Sequence, residues 1–320
     1  MSNSVKRAWD KFWFSDGPYF DLALMRIAVV GLQLLTLVSI QFESLTRVTS
    51  LPAWLYHPVY LVRLVTWPWG STVPLDKQLV FAIYWMMLPF GVGALVGLRS
   101  NLCMVVLAAG SLFLQAYIYS FVDFHHREAI LLIALIALAL GPCGKVLSID
   151  SLIARRNYPA APRVLILDYN GPYAGWPIRF IQCFFPLMYL SAAIAKIAES
   201  NYTLDWANGF TLQYYLLQDS LRKPDMALGL WISQFHWALL VAQIVVLSYQ
   251  LSYFLVVPYR KLRWIYLPVG LFFHLTNYYA LRAGFPQWIF LLGVYIPWSE
   301  AFRKLARSEV AVPAAVRQAT

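Results

Sequence analysis

Charged residues are scarce in this sequence of 320 amino acids. Asp, Glu, Lys and Arg make up only 12% of it, whereas 60% is hydrophobic and the mean hydropathy is +0.60. Soluble proteins carry about 25% charged residues, so this composition excludes an ordinary soluble domain. The apolar runs are too long for barrel strands and predict membrane helices, because backbone groups inside a bilayer must bond internally.

Cysteine is scarce, and the common motifs of soluble enzymes are missing. Cys103, Cys143 and Cys183 are too few and too scattered for a disulfide framework or a zinc site. No Walker loop, nucleophile elbow or dinucleotide fingerprint occurs, and no His-x-x-x-His pair is present. We therefore expect no metal site.

Apolar runs separated by polar connections occupy nearly the whole chain. We predict an all-α, polytopic transmembrane helical bundle that forms one domain over residues 1–320. About eight spans are expected, at 21–41, 78–98, 101–121, 128–142, 176–198, 230–257, 263–281 and 284–299. The charged, aromatic start predicts an amphipathic interfacial helix within residues 1–18 and no signal peptide.

One further apolar segment, residues 51–70, does not fit a simple span. It contains Arg63 and three prolines. Proline breaks the hydrogen bonding of a helix, so we interpret this segment as interfacial or re-entrant. If it crosses the membrane instead, only the N-terminus changes sides.

After the second predicted span, the basic residues of the connections and the C-terminal tail are divided unequally between the two sides of the membrane. Twelve lie on one side: Arg99, Lys145, Arg155, Arg156, Arg163, Arg260, Lys261, Arg263, Arg303, Lys304, Arg307 and Arg317. Four lie on the other: Arg127, Arg222, Lys223 and Arg282.

Cytoplasmic loops carry the excess of Lys and Arg. Both termini, including the tail 303–320, are therefore predicted to be cytoplasmic, in a multi-pass integral protein of a bacterial inner membrane. The loops explain the net charge of +10, so we expect no nucleic acid partner.

Several polar residues are predicted near the outer ends of the spans, where positive charge is sparse. Lys196 ends the fifth span, the pair His125 and His126 begins the fourth, and His274 lies about two turns inside the seventh. The other polar or aromatic residues of this region are Asn277, Arg282, Asp205 and Trp206. Ionisable groups within spans are costly and are therefore candidates for function.

Each candidate also has a simpler explanation. Lys196 can extend to water or pair with Glu199, one turn later, and His274 can be a buried structural histidine. Arg26 and Arg179, near the predicted cytoplasmic ends of their spans, are expected to reach the basic side of the membrane. A catalytic role instead predicts an apolar cavity lined by Lys196 and His274.

Four stretches resemble a known family, and the resemblance covers nearly the whole chain. The stretch "YLSAAIAKIAE…LDWANGF" resembles the Tyr-x-x-Ala-Gly-x-x-Lys-Leu…Trp-x-x-Gly signature of the HTTM domain, the membrane part of vitamin K-dependent γ-carboxylases. Tyr189, Lys196, Trp206 and Gly209 match it, whereas Ala193 replaces the family's glycine. The stretches "FHHREAILLIALIALALGPCGKVLSID" and "FFHLTNYYALRAGFPQWIF" resemble the family's His-bearing helix and its Phe-His helix. The stretch "DLALMRIAVVGLQLL" resembles the family's first span.

The resemblance implies a carboxylase-like chemistry at the outer leaflet. Lys196 matches the base that deprotonates a reduced quinone (a vitamin K-like hydroquinone), with O2 and CO2 as co-substrates. His125 or His126 matches the histidine that assists near that site, and His274 matches the family's Phe-His position. Tyr189, Asn277, Trp206 and Arg282 are the candidates for binding the hydroquinone. The large lumenal part of the animal carboxylases has no counterpart in this sequence, so we expect a peptide or protein substrate, or a partner subunit, on the outer side.

Two other functions remain open at this point. The protein can be a non-catalytic membrane partner for the maturation, export or immunity of a peptide. Transport is the third possibility, but the spans show no inverted repeat and no charged pathway across the membrane centre.

Overall fold

The chain is almost entirely helical. A computed structural model describes residues 3–70, 72–122, 127–157, 166–222, 227–281 and 283–310. Within these ranges two short strands, β1 (Gly17–Pro18) and β2 (Asn170–Gly171), pair antiparallel. The all-α prediction is confirmed.

The helices fall into two compact units. Unit 1 comprises Met1–Arg179 and Ile296–Thr320, and unit 2 comprises Phe180–Tyr295. The helices that begin in unit 1 before the division are α1 (Asn3–Phe14), α2 (Tyr19–Thr36), α3 (Phe42–Val48), α4 (Tyr60–Thr66), α5 (Lys77–Val96), α6 (Ser100–Tyr119), α7 (Ala129–Ala139), α8 (Ile149–Asn157) and α9 (Gly175–Glu199). Those that follow are α10 (Phe210–Arg222), α11 (Ala227–Ile232), α12 (His236–Ser252), α13 (Arg263–Leu281), α14 (Pro286–Leu291) and, again in unit 1, α15 (Trp298–Val310). Helix α9 begins in unit 1 and continues into unit 2.

Shorter helical segments connect these elements. A π-helical segment, Leu37–Gln41, joins α2 to α3. The 3-10 segments are Ala53–Leu55, Trp67–Trp69, Ile166–Asp168, Asp205–Ala207, Tyr253–Val256, Arg260–Leu262 and Leu292–Tyr295. The predicted interfacial segment 51–70 thus consists of α4 and two 3-10 turns, and does not form one continuous membrane-spanning helix.

Among the residues that the structure describes, five helices are long and apolar enough to cross a bilayer. They are Tyr19–Val48, Lys77–Val96, Ser100–Tyr119, Gly175–Glu199 and His236–Val256. A lipid bilayer is the environment that these helices fit.

The predicted count of eight spans is not confirmed. Helix α7 has only 11 residues, which is short of the roughly 20 that cross a bilayer. Helix α13 has 19 residues, but polar residues such as His274 and Asn277 lower its hydropathy. The predicted span 284–299 is broken into α14 and a 3-10 segment.

Helix α5 shows how the sequence sets helix ends in unit 1. Asp76 caps its start, because the carboxylate accepts hydrogen bonds from the backbone N–H groups of Gln78 (2.8 Å) and Leu79 (3.4 Å). Gly97 ends it at φ +73°, where a Cβ would overlap Ser148. Only glycine adopts this conformation without strain.

Arg26 on α2 lies in a different environment from the one expected. We predicted that it would reach the basic side, but its side chain is 0% exposed. Its guanidinium donates to the backbone carbonyls of Cys143 (3.2 Å) and Leu147 (2.5 Å). Arg26 therefore joins α2 to the loop after α7 through these two hydrogen bonds.

Candidate functional site

The predicted site residues of unit 2 are arranged around the second half of α9. Tyr189 and Lys196 are seven residues apart on this helix, which is about two turns and places them on one face. Ala193 lies between them, is completely buried, and packs with Ala207 and Leu247. The small side chain lets α9 approach α12 and the Asp205–Ala207 turn closely.

The amine of Lys196 is held by neutral groups. Its Nζ donates to the backbone carbonyl of Ala192 at 3.2 Å and lies 5.2 Å from the centroid of the Trp206 ring. Within the described ranges, neither Glu199 nor any other carboxylate lies within 4.0 Å of it. The ion pair with Glu199, one of the simpler alternatives for Lys196, is therefore not formed. The lysine makes a cation–π contact instead of an ion pair.

A second pair joins α9 to α13. The hydroxyl of Tyr189 and Nε2 of His274 are 2.8 Å apart, and both residues are 3% exposed. His274 Nδ1 is also buried and has no hydrogen-bond partner in the described part of the chain. A buried polar atom without a partner costs about 1–3 kcal/mol. It is therefore a place where a ligand or an ordered water can bind.

Aromatic rings enclose this pair. The Tyr189 ring lies 4.7 Å from that of Tyr253, 5.5 Å from that of Tyr249 and 5.5 Å from that of Trp288. The imidazole of His274 lies 5.9 Å from the Trp288 ring. The sequence analysis missed these three neighbours. Its only signal for them was an aromatic content of 17%, which does not indicate which rings meet.

The structure brings some candidates together and not others. Tyr189 contacts His274, and Lys196 contacts Trp206, but Lys196 and His274 share no hydrogen bond. Asn277 lies three residues beyond His274 on α13, and its backbone carbonyl accepts from the N–H of Ala283 at 3.1 Å.

Three predicted site residues, His125, His126 and Arg282, lie outside the described residues. Within the residues that are described, no group of three or more His, Cys, Asp or Glu side chains is placed to hold a metal ion.

One cavity of unit 2 reaches the aromatic surroundings of Tyr189 through Tyr249. It has a volume of about 300 Å³ and is an open groove between α12 and α13. Its polar lining comes from Ser248, Tyr249, Ser252 and Tyr266. Neither this cavity nor a second one, in unit 1, is lined by Lys196 or His274. The apolar cavity that a catalytic Lys196 predicts is thus not among these two.

Comparison with known proteins assigns no family to the chain. No family model, no curated protein and no solved structure matches it. The resemblance to the HTTM domain rests on the quoted sequence stretches alone.

Proposed function

We propose that this chain is a multi-pass membrane protein with a proton-transfer site in unit 2, in which Lys196 is the base. The observation that carries the proposal is the environment of its amine, which contacts a carbonyl and an indole ring but no described carboxylate. A lysine accepts a proton only in its uncharged form. Partial burial and neutral direct contacts favour that form, whereas the charge of Glu199, beyond 4.0 Å, opposes it.

The Tyr189–His274 pair supports a site on the same helix. It holds α13 against α9, and it leaves His274 Nδ1 as a buried polar atom to which a ligand can hydrogen bond. The surrounding rings offer flat apolar surfaces for an aromatic ligand. In this role Tyr189 and His274 position the ligand, and Lys196 takes the proton.

By its resemblance to the HTTM domain, we propose that the acid is a hydroxyl of a reduced, vitamin K-like quinone. When bound, the hydroquinone would supply, with O2, the strong base that lets CO2 add to a peptide glutamate. The fit of the residues to this group is partial. The amine can take a phenolic proton and the rings can stack, but neither described cavity gives room beside Lys196.

Lys196 would act in two steps. Its uncharged amine accepts the hydroxyl proton and becomes an ammonium group. The ammonium then returns the proton to water at the membrane surface. These steps require no other titratable group of the chain.

We further propose the full topology on which the site depends. It has eight spans, cytoplasmic termini and a place in a bacterial inner membrane. The apolar runs support the spans, and the twelve-to-four division of basic residues supports the sidedness. In this topology Lys196, Trp206 and His274 face the outer leaflet, where a lipophilic quinol and a peptide can both arrive.

The test is hydroquinone consumption by the purified protein in detergent. The mixture contains chemically reduced naphthoquinone, air, isotope-labelled bicarbonate and a short glutamate peptide. We expect the wild type to consume hydroquinone and fix label, and Lys196→Ala to lower both rates by at least about 100-fold, the usual contribution of a general base.

Lys77→Ala is the matched control. Lys77 Nζ also lies over a ring, 5.9 Å from the Phe81 centroid, at the start of a membrane helix. Equal rates in Lys196→Ala and wild type would refute the base assignment.

A non-catalytic role as a membrane partner in peptide maturation, export or immunity is the second candidate. One observation favours it, namely that neither described cavity is lined by Lys196. In that case the wild type consumes no hydroquinone. In cells, the maturation, export or immunity of the peptide is then the same with Lys196→Ala as with the wild-type protein.

A further inference from the structure

Unit 1 contains a small polar pocket that the proposed function does not use. It lies between the π-helical segment after α2, the end of α6 and the start of α7, and its volume is about 130 Å³. Its polar lining residues are Thr36, Gln41, Ser44, Gln115, Tyr119, Arg127 and Glu128. A pocket of this size holds a group of several heavy atoms.

Gln41 supplies an acceptor with no partner. It ends the π-helical segment Leu37–Gln41, and π segments are frequent at functional sites. Its side chain is 3% exposed, and its Oε1 has no hydrogen-bond partner among the described residues. Buried amide oxygens are almost always paired, so this atom indicates a missing donor.

The opposite wall carries a buried carboxylate and a cation near the mouth. Glu128 Oε2 accepts from the hydroxyl of Tyr119 at 2.9 Å, and Oε1 accepts from Nε of Arg127 at 2.6 Å. The Glu128 side chain is 8% exposed, whereas that of Arg127 is 40% exposed. The pocket thus presents acceptors inside and positive charge outside.

The pocket also lies at the depth of the lipid headgroups in the predicted topology. Gln41 ends the predicted span 21–41, Tyr119 lies near the end of 101–121, and Glu128 begins 128–142. All three therefore belong to one membrane boundary. A ligand of this pocket comes from the headgroup layer or from the water beside it.

From this arrangement we propose that the pocket binds an ethanolamine phosphate group. Its ammonium N–H groups donate to Gln41 Oε1 and Glu128, and its phosphate meets the guanidinium of Arg127 at the mouth. The ligand must carry N–H donors, because the buried atom without a described partner, Gln41 Oε1, is an acceptor. A choline headgroup carries the same charges but has no N–H donor, so the pocket discriminates against it.

The test is lipid competition on the purified, full-length protein in maltoside detergent. The probe is phosphatidylethanolamine with a fluorescent group on an acyl chain, displaced by unlabelled phosphatidylethanolamine or phosphatidylcholine. We expect phosphatidylethanolamine to compete at about ten-fold lower concentration, a ratio typical of one buried hydrogen bond to a charged group. Free phosphoethanolamine forms the third arm. If phosphoethanolamine displaces the probe at the same concentration as the lipid does, the ligand is water-soluble. If a far higher concentration of phosphoethanolamine is needed, the ligand is the lipid. Either result supports the ethanolamine phosphate group.

Two variants tie the preference to the pocket. Gln41→Met removes the orphan acceptor at nearly constant volume and should abolish the preference. The matched control is Gln250→Met in unit 2, which also removes a buried Oε1 without a described partner and should retain it. If Gln41→Met fails to fold, Glu128→Gln gives the second reading. Equal competition by the two lipids in the wild type means that the pocket holds only water and overturns the proposal. A preference that persists in both pocket variants overturns it as well.

Discussion

The hydroxyl of Tyr189 lies 2.8 Å from Nε2 of His274, although 85 positions separate the two residues in the chain. Both are buried in unit 2, and their bond fixes α13 against α9. Aromatic rings surround both partners, so the bond is worth testing by itself. It can be measured without knowledge of any substrate.

Tyr189→Phe should destabilise the protein by about 1–3 kcal/mol, because it leaves a second His274 nitrogen buried without a partner. The measurement is a double-mutant cycle on thermal unfolding in detergent, with Tyr189→Phe, His274→Phe and the double variant. We expect a coupling of about 1 kcal/mol between the two side chains.

Tyr266→Phe is the matched control for this cycle. Its hydroxyl donates to Ser252 Oγ at 2.7 Å in a partly buried position, where water can replace a lost partner. Its effect should be smaller than that of Tyr189→Phe. A coupling near zero between Tyr189 and His274 would contradict the importance of the bond.

Asp150 should make the stability of unit 1 depend on pH. Burial raises the pKa of this carboxyl, but hydrogen bonds from Ser100 N (2.7 Å), Ser100 Oγ (2.7 Å) and Arg99 N (2.8 Å) outweigh it, with a further contribution from the charge of Arg26. The net result is a pKa below the ordinary value. The carboxylate therefore stabilises the fold above the unfolded-state pKa of about 3.9. That stabilisation is lost as the pH falls from there through the lower folded-state pKa.

The expected result is that Asp150→Asn loses less stability than the wild type between neutral pH and about pH 3. The measurement is the unfolding midpoint of each variant at a series of pH values. Asp168→Asn is the control, because Asp168 lies in an exposed ion pair with Arg303 at 3.2 Å, and such pairs contribute little. An identical pH profile for Asp150→Asn and wild type would show that these hydrogen bonds do not favour the carboxylate.

Ala193 should tolerate only small replacements. It is completely buried against Ala207 and Leu247, so Ala193→Leu should cost about 1–3 kcal/mol through overpacking and displace Trp206 from Lys196. Ala193→Gly, the residue at this position in the HTTM signature, should cost only about 1 kcal/mol of helix propensity. Unfolding midpoints and Trp fluorescence give the two readouts.

The neighbouring Ala195→Leu is the control for Ala193→Leu. Ala195 is exposed on the same helix, so the added side chain meets no packed surface and the unfolding midpoint should hardly change. A loss equal to that of Ala193→Leu would mean that the effect does not come from packing against α12.

Part of the candidate site could be predicted from the sequence. The spacing of Tyr189 and Lys196 places both on one face of a helix, and the position of Trp206 and His274 near the predicted outer ends of the spans selected them as well. The pairings could not be predicted. The bond of Tyr189 to His274, and the contact of Lys196 with Trp206 in place of Glu199, depend on which helices and turns pack together.

Local periodicity and composition by themselves determined that this is an all-α protein with apolar helices of bilayer length. Charges are few and the apolar runs are long, so the backbone N–H and C=O groups can form their hydrogen bonds only within helices. The tertiary structure alone decided the surroundings of each polar group. It buried Arg26 under the carbonyls of Cys143 and Leu147, and it turned Gln41 into a pocket opposite Glu128. Those partners are distant in the chain, and sequence spacing describes only neighbours within a few turns.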